Sequence, residues 1–192
     1  MNTSWWYDWG GLNRSLFLQI NHAGSGWVWD HLALLGTALG DHMLYPLYAA
    51  LALALALKRP NLLSSQAVLA FLAAYLVDWV LIAALKPLLD FPRPARVLGD
   101  AAVHILGQPE YAHSFPSGHT AFAVLLAASL LPGAHWALKV LLLLFALWVA
   151  WARIAVGAHF PADVLGGALI GGISAWIATR GLGLAGYGRG RR

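Results

Sequence analysis

The chain is written as long apolar runs broken by short polar punctuation, and that pattern excludes most folds before any motif is considered. Of its 192 residues, 60% are hydrophobic and only 10% charged, with mean hydropathy +0.66; soluble domains carry about 25% charged residues. A bilayer core takes about 20 apolar residues per helix. It offers the backbone no water to bond, so each run has to satisfy its own N–H and C=O groups as a helix. The expected fold is therefore all-α: a polytopic membrane helical bundle of about five to six transmembrane helices with an N-terminal interfacial helix. No polar linker is long enough to separate two domains, so 1–192 reads as a single integral-membrane domain. There is no cysteine, hence no disulfide or thiolate chemistry.

Along the chain, the opening MNTSWWYDWGG lacks the basic and apolar regions of a signal peptide. Its Trp5, Trp6, Tyr7 and Trp9 read as an interfacial aromatic belt. Residues 10–22 set Leu12, Leu16, Phe17 and Ile20 at helical spacing beside Asn13, Arg14 and Gln19, an amphipathic helix on the membrane surface. Membrane helices are expected over 27–57, 62–89, 117–131, 136–152 and 160–179. The first is too long for one straight span and is broken by Gly36, Gly40, Asp41 and Pro46, so a short helix near 27–40 and a span near 42–57 are expected. Gly167 and Gly171 form a GxxxG pair, a signature of close helix packing. Asp78 falls inside a span, where it is either a functional carboxylate or a hydrogen-bond partner for a neighbouring helix. Residues 90–114 form a long polar loop, and loops of that length are usually functional. Residues 181–192 read as a frayed cytoplasmic tail.

The basic residues set an orientation. Lys58, Arg59, Lys139, Arg180, Arg189, Arg191 and Arg192 fall on one side, which the positive-inside rule makes cytoplasmic. Lys86, Arg93, Arg96 and Arg153 fall on the other. Cations on the wrong side for topology call for an anionic ligand, and a pI near 9.7 is explained by membrane flanks rather than by nucleic acid.

Three segments then meet on the outer face: Lys86–Pro94, Pro116–His119 and Arg153–Asp163. Pro116-Ser117-Gly118-His119 is by itself either an ordinary helix start or an anion-binding turn, in which Gly118 admits a ligand close to free backbone N–H groups. Lys86, Arg93 and Arg153 add three cations, two of them planar forks that can grip phosphate oxygens. Phosphoryl transfer is catalysed mainly by positioning and charge stabilisation. No acidic cluster suggests magnesium and no HExxH suggests zinc, so no metal or cofactor is expected and the protein's own cations take that part. His159 and Asp163, spaced i, i+4, would share a helical face, with Asp163 fixing the tautomer and His159 free as a nucleophile. His119 would protonate the leaving oxygen and then activate water.

The pattern KxxxxxxRP, PSGH, SRxxxxxHxxxD over Lys86–Asp163 resembles the type 2 phosphatidic acid phosphatase superfamily, which also includes vanadium haloperoxidases. The resemblance implies that His159 is phosphorylated, that His119 is the general acid, and that Lys86, Arg93, Ser117, Gly118 and Arg153 bind phosphate. Ala152 departs from the pattern, which has Ser there. A lipid phosphate is the substrate class implied, with membrane lipids as the surroundings and neither nucleic acid nor an obligate protein partner. The short chain, the stretch NRSLFLQIN and the outward site look like the bacitracin-resistance type of undecaprenyl pyrophosphate phosphatase. Phosphatidylglycerol phosphate and phosphatidic acid are the alternative substrates, and a vanadate peroxidase or a non-catalytic membrane protein the remaining readings. The implied location is a bacterial inner membrane, with the site facing the periplasm or exterior. Asp100, His104, Glu110 and His113 read either as head-group contacts or as solvated loop residues.

Overall fold

A computed structural model describes residues 5–23 and 26–184; the basic residues Arg189, Arg191 and Arg192 of the expected tail lie outside the described residues. In chain order the α-helices are α1 (Trp5–Asp8), α2 (Leu12–Ala23), α3 (Trp27–Leu39), α4 (Tyr45–Lys58), α5 (Ser65–Leu89), α6 (Pro94–Leu98), α7 (Gly118–Leu130), α8 (Trp136–Ala155) and α9 (Pro161–Gly181). The protein is a helical membrane protein. The helices α8, α9 and α5, the last continued through α6, are long and apolar enough to cross a bilayer; α3 and α4, bent by 53° at a short break, qualify together as one more. That break holds a 3₁₀ turn, His42–Leu44, whose start is capped by the Asp41 carboxylate accepting from Met43 N–H at 2.9 Å.

At the centre stands α7. Its 13 residues span only about 20 Å, too short for the roughly 30 Å hydrocarbon core. It is packed against α5, α8 and α9, with nine of its residues buried, so protein rather than lipid covers it. Helices gain little hydrophobic free energy by leaving lipid for one another, so their association depends on close contact. The α7–α9 crossing achieves it through glycine. A Cβ on Gly167 would lie 2.3 Å from Ser117 O, and one on Gly171 would lie 2.2 Å from Ala121 O. Phe71 and Phe122, fully buried, fill the space between α5 and α7.

The N-terminal helices do more than lie on a surface. Tyr7 turns inward and is 4% exposed, while Trp5 stays outside. The buried stripe of α2 is Asn13, Phe17 and Asn21, not the leucines. Asn13 Oδ1 accepts from Ala162 N–H at 2.9 Å. Asn21 grips the long loop: its Oδ1 accepts from His104 N–H at 2.8 Å and its Nδ2 donates to His104 O at 2.9 Å. The same Nδ2 donates to Ala155 O at the end of α8, also at 2.9 Å. His104 pairs in addition with Asp30 of α3 at 3.0 Å. The long loop is thus pinned to α2 and α3 directly and to α8 through Asn21, and is held as part of the fold.

Candidate active site

A cavity of about 300 Å³ opens at the end of α5, lined there by Lys86, Arg93, Gly118, His119, Arg153 and His159. Each comes from a different turn of the chain. Lys86 sits in the last turn of α5. Arg93 precedes the proline that starts α6, Gly118 and His119 open α7, and Arg153 closes α8. His159 lies in the short connection between α8 and α9, two residues before the first residue of α9. The expectation of a helical face shared by His159 and Asp163 is therefore corrected. Asp163 is the third residue of α9, and its carboxylate reaches back to accept from Phe160 N–H at 2.8 Å, one half of a capping box. That turn brings His159 Nδ1 to 3.5 Å from Asp163 Oδ2.

Asp163 is completely buried and lies behind His159. Its Oδ1 accepts from the Tyr7 hydroxyl at 2.8 Å, and its Oδ2 also accepts from the Ser114 hydroxyl. Tyr7 is enclosed by the rings of Phe91, Phe115 and Phe160, the first at 4.4 Å. Burial, then the Asp163 charge, pushes the Tyr7 phenol well above its ordinary range, so it remains a donor. Neither Tyr7 nor Ser114 was singled out from the sequence. Tyr7 looked like one more interfacial aromatic, and Ser114 had only its nearness to the PSGH turn to mark it.

His159 is 1% exposed. An Arg93 guanidinium nitrogen, which can only donate, lies 3.3 Å from its Nε2. Nε2 is then the acceptor and Nδ1 carries the proton, on the side of Asp163. Burial foremost, then the charges of Arg153, Arg93 and Lys86, hold this imidazole well below its ordinary value. It is a neutral, oriented imidazole in the cavity wall, whose Nε2 lone pair is met by Arg93.

Arg93 is held at every edge. Nε donates to Ala112 O at 2.9 Å, one terminal nitrogen donates to Ala158 O at 3.1 Å, and the other pairs with the Glu110 carboxylate at 2.6 Å. Arg153 donates to the Thr37 hydroxyl at 3.4 Å, while its buried Nε has no partner among the described residues. Lys86 Nζ lies 3.5 Å from His113 O.

Two other expectations are refined. Ser117 is fully buried and is not part of the cavity wall. Its N–H donates to Asp163 O at 3.0 Å and its Oγ accepts from the Thr120 hydroxyl at 3.1 Å, so it ties α7 to α9. The first α7 bond from the turn is Ala121 N–H to Ser117 O, which leaves the N–H groups of Gly118 and His119 ahead of the helical ladder. Ala152 is fully buried against α3, where a Cβ on Gly36 would come within 2.9 Å of its own.

Histidines and three cations around one cavity at a helix end are the groups that a phosphoryl-transfer site requires. The profile of the PAP2 superfamily matches residues 67–186, and the chain is a member of that superfamily. A lipid A 4'-phosphatase from Bacteroides thetaiotaomicron is 32% identical over 98 residues, 48% of this chain and 43% of the relative, so the match spans less than half of that protein's length. The crystal structure of Aquifex aeolicus LpxE superposes with a TM-score of 0.76 at 34% identity, over 88% of this chain and 95% of that one. A PAP2-type phosphatidylglycerolphosphate phosphatase from Bacillus subtilis shares the fold, with a TM-score of 0.67 at 21% identity over 90% of this chain and 86% of its own.

Proposed function

We propose that the protein hydrolyses a lipid phosphate without a metal, through a phosphohistidine on His159. The observation that carries this reading is the direction of His159, with Nδ1 toward Asp163 and Nε2 into a cavity walled by Lys86, Arg93 and Arg153. The incoming phosphoryl group displaces Glu110 from Arg93 and takes its oxygens to the three cations and to the N–H groups of Gly118 and His119. Nε2 attacks phosphorus, the bond to the lipid oxygen breaks, and His119 gives that oxygen its proton. Water then attacks the phosphohistidine, His119 takes the proton back, the P–N bond breaks and phosphate leaves. Ser117 and Asp163 act from behind, the first through the α7–α9 junction and the second through His159.

The substrate we favour is a phosphorylated saccharolipid. The support is the likeness to a relative named a lipid A 4'-phosphatase and to LpxE. Undecaprenyl pyrophosphate is the second reading, supported by a cavity at the end opposite Lys58, Lys139 and Arg180, as an outward-facing site in a bacterial inner membrane requires. The stretch NRSLFLQIN does not strengthen it, because its Asn13, Phe17 and Asn21 brace the fold. The test is phosphate release by purified protein in excess EDTA, comparing a monophosphorylated lipid A, undecaprenyl pyrophosphate, phosphatidylglycerol phosphate and phosphatidic acid. A lipid A preference supports the first reading; a pyrophosphate preference replaces it with the second. No release from any would remove the phosphatase mechanism.

A further inference from the structure

The cavity has a second pole that the phosphoryl chemistry does not use. One face of α5 lines it: Tyr75, Asp78, Trp79, Ile82, Ala83 and Lys86 recur at helical spacing. Asp78 lies about 12 Å along the helix from Lys86, at 1.5 Å per residue, and so deeper in the membrane. His42, from the turn between α3 and α4, lines the same cavity, and Tyr45 beside that turn stacks on Tyr75 at 3.7 Å. Asp78 is 5% exposed, and its partner among the described residues is the Ser174 hydroxyl at 3.4 Å. That hydroxyl has one hydrogen, and it has a shorter bond to Ile170 O at 2.8 Å. The carboxylate, part of the cavity wall, therefore keeps acceptor capacity in the middle of a span, where an unpaired polar group is costly.

We infer that Asp78, with Tyr75 and His42 in the same wall, is a subsite for hydroxyl or amide N–H donors on the leaving portion of the lipid. The inference rests on the lipid phosphatase reading. A polyprenyl chain or a diacylglycerol presents no donor at that depth and leaves the carboxylate desolvated. A lipid with an N-acyl or hydroxyl group near its chains, as in an acylated amino sugar or a ceramide, supplies one. The subsite thus selects by what lies below the phosphate, separately from the cations that grip it.

The experiment compares ceramide 1-phosphate with phosphatidic acid of matched chain length, in wild type, Asp78→Asn and Asp78→Leu. Wild type should favour the donor-bearing lipid in kcat/KM by about 10-fold or more, as expected for a hydrogen bond to a charged group. Asp78→Leu should bring the ratio near one by raising KM for ceramide 1-phosphate alone, and Asp78→Asn, with a neutral acceptor, should fall between. A ratio that stays put in both variants, or the two lipids losing activity in step, would overturn the subsite and leave Asp78 as a helix–helix contact. If wild type hydrolyses neither lipid, the phosphatase reading is decided by the four-lipid comparison above. Binding of the same two lipids then decides the subsite by the same ratio.

Discussion

The Tyr7 hydroxyl donates to Asp163 Oδ1 at 2.8 Å, joining the first described helix of the chain to the third residue of the last, 156 positions away. The bond makes the N-terminal helices a support for His159, because Asp163 is the group that faces its Nδ1. Tyr7→Phe removes this bond and keeps the ring among Phe91, Phe115 and Phe160. A hydrogen bond to a charged group is worth about 1.5–3 kcal/mol. Part of that is felt at His159, so kcat is expected to fall roughly 5–50-fold at 1.4 kcal/mol per decade, with KM changing less than about twofold. Steady-state kinetics on the folded variant check this; an unchanged kcat would reduce Tyr7 to packing.

His159→Ala is expected to lower phosphate release by at least about 10³-fold while the protein keeps its detergent-solubilised fold, since the proposed nucleophile and its intermediate are both lost. Acid-labile phosphate trapped on wild type and missing from the variant would assign the residue. Retained turnover in the variant would exclude a histidine nucleophile at this position. Activity should persist in excess EDTA, and strict dependence on added magnesium would contradict the assignment of charge stabilisation to Lys86, Arg93 and Arg153.

The apolar runs were legible because a bilayer forces them into helices, and the cations because Lys86 and Arg153 lie at the helix ends opposite Lys58, Lys139 and Arg180. What surrounds His159 was not. Asp163 was visible as a neighbour of His159 in number, but the turn at Phe160–Pro161 takes His159 off the helix, and periodicity assumes a continuous helix. Tyr7 and Asn13 act through contacts about 150 residues away in sequence. An aromatic or an amide near an interface has the same appearance whether it faces lipid, water or a buried carboxylate. The inward stripe of α2 was not legible either: Leu12, Leu16 and Ile20 obey helical spacing as well as Asn13, Phe17 and Asn21 do, and only the backbone groups opposite decide which set turns inward. Glu110 was noticed, but its reach to Arg93 depends on the folded loop.

The pH dependence follows from the environment of His159. Its folded value lies well below the ordinary 6.5, so the imidazole stays neutral as pH falls through the range where a free histidine would be protonated. The acid limb of kcat/KM, which reports the free enzyme, should therefore lie below the ordinary imidazole range. Stability moves the other way. Below about 6.5 the unfolded chain binds a proton at this position that the folded chain does not. This contribution to stability is present above that pH and is lost as pH falls toward the folded value. A kcat/KM profile with its acid limb at the ordinary histidine value would show that His159 is solvated in the free enzyme.

The α7–α9 crossing gives a prediction independent of catalysis. A methyl group on Gly167 or Gly171 would meet backbone oxygen at 2.3 or 2.2 Å, and backbone cannot rotate away as a side chain can. Gly172, one residue on, would place its Cβ with nothing within 4 Å. Gly167→Ala and Gly171→Ala are each expected to destabilise by about 1–3 kcal/mol, the usual cost of overpacking. Gly172→Ala should be neutral, or slightly stabilising because alanine is the better helix former. Gly167 carries a second consequence, since its neighbour Ser117 O belongs to the turn that presents His119. Gly167→Ala should lose kcat as well as thermal stability, whereas Gly171→Ala, one turn farther from that turn, should lose mainly stability. Thermal melting in detergent beside phosphate release separates the two. Equal effects at positions 171 and 172 would mean that α7 and α9 are not held at glycine contact distance in the membrane.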